Sequence, residues 1–141
     1  MSQDNEISGV VMDCAIRLHR ELGPGLLESV YESGLSWMLR ERGLKVERQV
    51  PIPIVLFGQR LEEGFRDDLL IEDLVIVEIK AVVGVAAVHR RQVLTYLKLS
   101  DRWLGLLINF GGPLLKDGFE RIVNGEPRTG RPISVISVDS V

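Results

Sequence analysis

The chain has 141 residues, 45% of them hydrophobic and 26% charged, with a formal net charge of −3 and a pI near 5.4. That is one soluble domain's worth of sequence, and the slight acidity excludes a broad, sequence-indifferent coat for nucleic acid while leaving room for a local basic groove. The single Cys14 excludes an internal disulfide and reads as a small core residue.

The first residues, Met1 to Glu6, are polar and acidic, unlike a signal peptide, and the longest apolar stretch, Ala81 to Val88, is too short to span a bilayer. The expectation is a cytoplasmic protein with no membrane partner. Two basic runs stand out: Arg40, Arg42, Lys45 and Arg48, then His89, Arg90, Arg91, Lys98 and Arg102. Either alone is read at least as well as ordinary solvated charge.

Taken in chain order, Val11, Ala15, Leu18 and Leu22 recur at helical spacing from about Asn5. Gly23-Pro24-Gly25 stops that helix, because proline lacks an amide donor and glycine permits a sharp turn. A second helix is predicted from about Leu26 to Arg42, striped by Leu27, Val30, Tyr31, Leu35, Met38 and Leu39, with Gly43 just past its end. Extended structure begins at Val46; Pro51 and Pro53 deny it ladder donors, as at an edge or bend, and Ile54–Phe57 is a further short strand. Phe65–Ile71 and Leu74–Ala81, divided by Glu72-Asp73, read as a β-hairpin. Val85–Leu99 is helical, Trp103–Ile108 is an apolar strand covered on both faces, and Phe119–Val123 is a short last strand. Residues 124–141 read as a loose C-terminal extension of a domain spanning 1–123. The order predicts an α/β (mixed α+β) fold, a mixed sheet flanked by helices.

Four places carry candidate chemistry. Glu78 and Lys80 are two apart on a strand and share a face, while Asp68 lies on the partner strand. Two carboxylates converging there form an all-oxygen site for a hard cation such as Mg²⁺, and a lysine beside them can orient or deprotonate a water and offset phosphate charge. The bland alternative, an exposed polar strand face, wins for an isolated Glu-x-Lys; here the charges interrupt the apolar run Leu74–Val83, and charge in a buried strand needs a partner or a purpose. In Gly25-Leu-Leu-Glu28-Ser-Val-Tyr31, Glu28 falls in a helix's first turn, where the macrodipole alone could account for it; Tyr31 shares its face, available either to the core or to Glu28. Gln92 and Tyr96 share a helix face with His89 one turn earlier, a set able to line a cleft over the carboxylates or to form a plain polar edge. Asn109-Phe-Gly-Gly112 is read as a turn.

Gly25–Tyr31, Gly64–Ala81, Gln92–Lys98 and Gly105–Gly111, in that order, resemble the sequence blocks of GxxExxY proteins, a branch of the PD-(D/E)XK nuclease-like superfamily. The resemblance covers most of Asn5 to Val123. It implies a restriction-endonuclease-like αβββαβ core and phosphodiester hydrolysis by a metal-activated water. By the same resemblance Asp68 and Glu78, helped by Glu28, hold Mg²⁺ or Mn²⁺ and Lys80 is the catalytic lysine. Gln92 and Tyr96 resemble the Gln-x-x-x-Tyr element of exonucleases related to recombination helicase–nucleases, so they are expected to line the substrate side with Tyr31 and His89. The implied partner is nucleic acid, DNA in the first instance; homo-oligomerisation is among the states the sequence allows. The competing expectation is a binding or regulatory module that keeps the nuclease fold without turnover.

The hairpin supplies a test of register. A two-residue turn at Glu72-Asp73 would pair Asp68 with Val77 and turn it away from Glu78. An odd-numbered loop, or a bulge, is therefore expected between Asp68 and Glu78.

Overall fold

In the computed structural model, which describes residues 2–125 apart from the side chains of Glu62 and Glu63, the Ser2 hydroxyl accepts the Asn5 amide and starts α1 (Gln3–Leu22). Gly23, at φ 72, ends it by returning its amide to the His19 carbonyl. After the Pro24-Gly25 turn, α2 (Glu28–Glu41) packs antiparallel-fashion beside α1 along a seam where Gly34 leaves room for Leu18, whose Cδ1 would stand 2.9 Å from an added Cβ. The buried stripe of α2 is Tyr31, Glu32, Leu35, Ser36 and Leu39. Leu27 and Val30, expected in that stripe, are on the outside, with Leu27 75% exposed.

Among the described residues five strands follow: β1 (Val46–Leu56), β2 (Gln59–Ile71), β3 (Val75–Lys80), β4 (Leu104–Asn109) and β5 (Phe119–Val123), with α3 (Ala87–Ser100) between β3 and β4 and a 3₁₀ turn at Leu115–Gly118. They form one sheet in the order β1-β2-β3-β4-β5, with β3 and β4 parallel across the α3 crossover and every other neighbour antiparallel. From α2 to β4 this is the expected αβββαβ succession, with α1 before it and β5 after. The prolines do not divide β1 as predicted. They sit on the sheet's outer strand, where missing amide donors cost nothing in ladder bonds, and the irregularity they allow is a register shift between Ile52 and Ile54.

Two apolar clusters hold the layers together. One lies between the sheet and α1/α2, built from Val11, Tyr31, Leu35, Leu69, Val77, Leu106 and their neighbours. The other lies between the sheet and α3, built from Ile76, Val93, Tyr96, Leu97, Leu107 and Ile52. Gly105 on β4 lets α3 come close: an added Cβ would stand 2.6 Å from Val93 Cγ1. Cys14 is buried and free. Among the described residues no helix is long and apolar enough to cross a membrane. The expected extension lies, beyond Gly125, outside the described residues.

Candidate active site

The β2–β3 ladder runs Ile71↔Val75, Leu70↔Ile76, Leu69↔Val77, so the loop between them has three residues, Glu72, Asp73 and Leu74. Glu72 and Asp73 both take positive φ (52° and 57°), the twist of a primed turn, and the Leu74 amide closes it on the Ile71 carbonyl at 2.9 Å. Leu74 is the extra residue, and it gives the odd count that the register argument requires.

One step beyond Leu69↔Val77 the two strands part, and side chains take over the backbone's bonds. The Asp68 amide donates to Glu78 Oε1 (3.2 Å), and the Ile79 amide donates to Asp68 Oδ2 (2.7 Å). Glu78 and Lys80 then follow the side-chain alternation of β3, on the face of Ile76 and the α3 cluster.

At the same level β1 and β2 exchange faces. Val46 and Leu69 belong to the α1/α2 cluster, but Val50, Ile52 and Phe65 belong to the α3 cluster. The exchange happens at Gln49, which adopts φ 51, and at Asp68 across from it; between Arg48↔Leu69 and Val50↔Asp67 they are the skipped pair. The Gln49 side-chain amide donates to Asp68 Oδ1 (3.3 Å) and to Glu32 Oε1 (2.6 Å). Arg48 holds the other Glu32 oxygen through Nε and Nη2, both at 3.0 Å. A chain of bonds thus runs from α2 through Gln49 to the fork between β2 and β3.

Charge is concentrated there. Glu78 is 5% exposed, and burial, then the Asp68 carboxylate, push its pKa up to about 8 against the pull of Lys80. Burial also raises Asp68, opposed by its bond from the Ile79 amide and reinforced by Glu32. Asp67, 1% exposed, takes no hydrogen bond from an N–H or hydroxyl donor, and its carboxyl meets that of Glu78. Burial first, and then Glu78 and Asp68, raise its pKa well above the usual carboxylate range. Tyr96 packs on Phe65 with ring centroids 4.5 Å apart; burial and these three carboxylates push its hydroxyl up to about 12.

Other candidate residues stand elsewhere. Glu28 is exposed in the first turn of α2, and the α2 acid that reaches Asp68's neighbourhood is Glu32, one turn later. Tyr31 is a core residue, stacked on Phe110 at 4.5 Å, with its hydroxyl donating to Gly23 O (2.5 Å) and accepting from Leu26 N (3.2 Å). It ties the α1–α2 turn rather than lining a substrate wall. His89 Nδ1 accepts the Ala86 amide at 3.2 Å, a helix-start contact. Gln92 is half-buried one turn before Tyr96. Asn109 grips the segment after β3, bonding Val82 N and Val82 O, both at 3.0 Å, and Gly111 has no room for a side chain against Val82, so this loop is a structural clasp.

The sequence model of the PD-(D/E)XK nuclease superfamily matches residues 5–122, from the start of α1 to the end of β5. The chain belongs to the PD-(D/E)XK nuclease superfamily. Comparison with curated proteins finds no match, and comparison with solved structures finds none either. PD-(D/E)XK nucleases are generally divalent-metal dependent, and the donor set here fits that need. Asp68 and Glu78 are neighbouring carboxylates, with Asp68 raising the pKa of Glu78, and Asp67 adds a buried carboxyl that no N–H or hydroxyl group bonds. Among the described residues no three acidic, histidine or cysteine side chains form a ready cage. Mg²⁺ is commonly bound by one or two carboxylates, with water and phosphate oxygens completing the octahedron.

Proposed function

We propose that this protein hydrolyses phosphodiester bonds of nucleic acid, DNA in the first instance, using Mg²⁺ or Mn²⁺ held by Asp68 and Glu78. The observation that carries the reading is the three-residue hairpin loop, because it sets Asp68 across from Glu78 with Lys80 on Glu78's face. A bound divalent ion supplies Lewis acidity and a more acidic water. Lys80 orients the attacking water and offsets charge building on the phosphate. Tyr96, protonated at neutral pH, donates a hydrogen bond toward a phosphate oxygen beside Gln92. Glu32, Arg48 and Gln49 act as positioning residues that hold Asp68's orientation through hydrogen bonds. In this reading the α2 acid that serves the site is Glu32, as a support for Asp68, and not Glu28 as a helper in holding the metal.

One observation favours a second reading, a binding module without turnover: Asp68 and Glu78 already satisfy one another's strands. Incubation with linear and circular, single- and double-stranded DNA and RNA separates the two. The nuclease reading expects Mg²⁺- or Mn²⁺-dependent cleavage that Lys80→Ala abolishes; binding without cleavage in any metal supports the module.

A further inference from the structure

The β1–β2 ribbon outruns the rest of the sheet. Among the described residues β3 pairs with β2 only from Leu69 to Ile71, so Val50 to Phe65 form a two-stranded arm leading away from the fork. At the register shift the strands come so close that a Cβ on Gly64 would stand 2.5 Å from the Ile52 carbonyl oxygen. The bare glycine, with Pro51 and Pro53, leaves a hollow of about 220 Å³ bordered by the side chains of Arg60 and Arg66. Neither guanidinium is in an ion pair with a described side chain. Arg66 Nη1 donates to the Gln49 carbonyl at 3.3 Å, which anchors it to the kink that orients Asp68.

Two guanidiniums over exposed backbone suit a phosphodiester anion, which a planar fork of donors binds in two-point fashion. Arg66 precedes Asp68 by two strand residues, about 7 Å along the chain, and Phe65, just before Arg66, packs on Tyr96. The hollow thus lies on the ribbon that leads into the proposed catalytic fork, two strand residues before Asp68. At the tip of the arm Phe57 is 76% exposed. It and Gly58 take φ 50 and 78, a tight turn that holds the ring away from the ribbon. An exposed aromatic beside arginines is the pattern on which unpaired bases stack.

We propose that this arm is a nucleic-acid subsite: Arg60 and Arg66 clamp the backbone phosphate next to the one at Asp68 and Glu78, and Phe57 stacks on an unpaired base. This rests on the nuclease reading and adds a preference for single-stranded segments. The test is fluorescence anisotropy of the full chain in EDTA with labelled single-stranded DNA, single-stranded RNA and duplex DNA over a salt series. Arg60→Ala/Arg66→Ala should weaken single-strand binding at least about tenfold and reduce the log–log salt slope by about 0.7, one phosphate contact on a single strand. Arg60→Lys/Arg66→Lys should keep that slope while losing part of the affinity. Phe57→Ala should cost about 5- to 100-fold on single strands, leave the slope unaltered and spare duplex binding. If wild type binds in EDTA and cleaves once Mg²⁺ is restored, but all three variants match it, the arm proposal is overturned and the nuclease reading stands. If wild type binds none of the three in EDTA and cleaves none with Mg²⁺ or Mn²⁺ restored, both fall.

Discussion

Asp68 and Glu78 are joined crosswise: each carboxylate accepts an amide from the strand of the other, Glu78 from Asp68 and Asp68 from Ile79. The acids therefore do structural work at the point where β2 leaves β3, and their protonation is tied to the stability of the fold.

Glu78 binds its proton more tightly in the folded chain, at about 8 against 4.5 for the ordinary group. Folding then takes up a proton across that window, so stability is full below the lower value and is lost as pH rises through the upper one. Asp67 and Asp68 are shifted in the same direction. In EDTA the melting temperature should fall by roughly 5 °C or more between about pH 5 and about pH 9, and Glu78→Gln should flatten the curve. Added Mg²⁺ should stabilise most at the alkaline end, since its ligands must be deprotonated. A flat profile in the wild-type protein would count against the buried pair.

Asp67 is buried beside Glu78 and Asp68, with no N–H or hydroxyl donor to either carboxyl oxygen. Asp67→Asn should stabilise the metal-free protein by about 1–3 kcal/mol at alkaline pH. It should also shrink the thermal shift produced by Mn²⁺. Calorimetric melting with and without the ion reads both effects, and a lower melting temperature in EDTA would contradict them.

Glu32 and Glu28 differ by one helical turn and by their surroundings. Glu32→Ala strands the Arg48 and Gln49 donors and should cost about 1–3 kcal/mol, with a fall in cleavage rate restored in part by Glu32→Gln. Glu28→Ala should change stability by less than about 0.5 kcal/mol, as surface substitutions do, and leave cleavage unaltered. Loss of cleavage in Glu28→Ala at an unchanged melting temperature would return the role to the first-turn acid.

Tyr31→Phe removes a hydroxyl shared between Gly23 and Leu26. Denaturant melts should show a loss of about 1–2 kcal/mol with KM for oligonucleotide unaltered. A raised KM without loss of stability would mean that the hydroxyl meets substrate.

Much of this architecture was readable from spacing. Glu78 and Lys80 had to share a face, and an Asp68 opposite them required an odd loop, which Leu74 provides. Glu32 left a signal that hydropathy hides: with Leu35, Ser36 and Leu39 it occupies i, i+3, i+4 and i+7 positions of the buried face. A charged residue in that series marks a partner elsewhere, here Arg48 and Gln49, 16 and 17 residues on. The face exchange at Gln49 was not readable, because a positive φ in a non-glycine strand residue is set by the two strands together and not by local preference. The arm escaped for a related reason: strand length in a ribbon depends on where its third neighbour stops, which is a property of β3.

The prolines of β1 have a consequence for how copies of this protein can meet. β1 and β5 are the two borders of the sheet among the described residues. A border interrupted by Pro51 and Pro53 cannot template another strand along its length, for want of amides to offer. Any assembly that extended the sheet would have to grow from β5, at the opposite border, so that even in a polymer of such subunits the fork and its arm would stay open to a long, threadlike molecule passing along the free side.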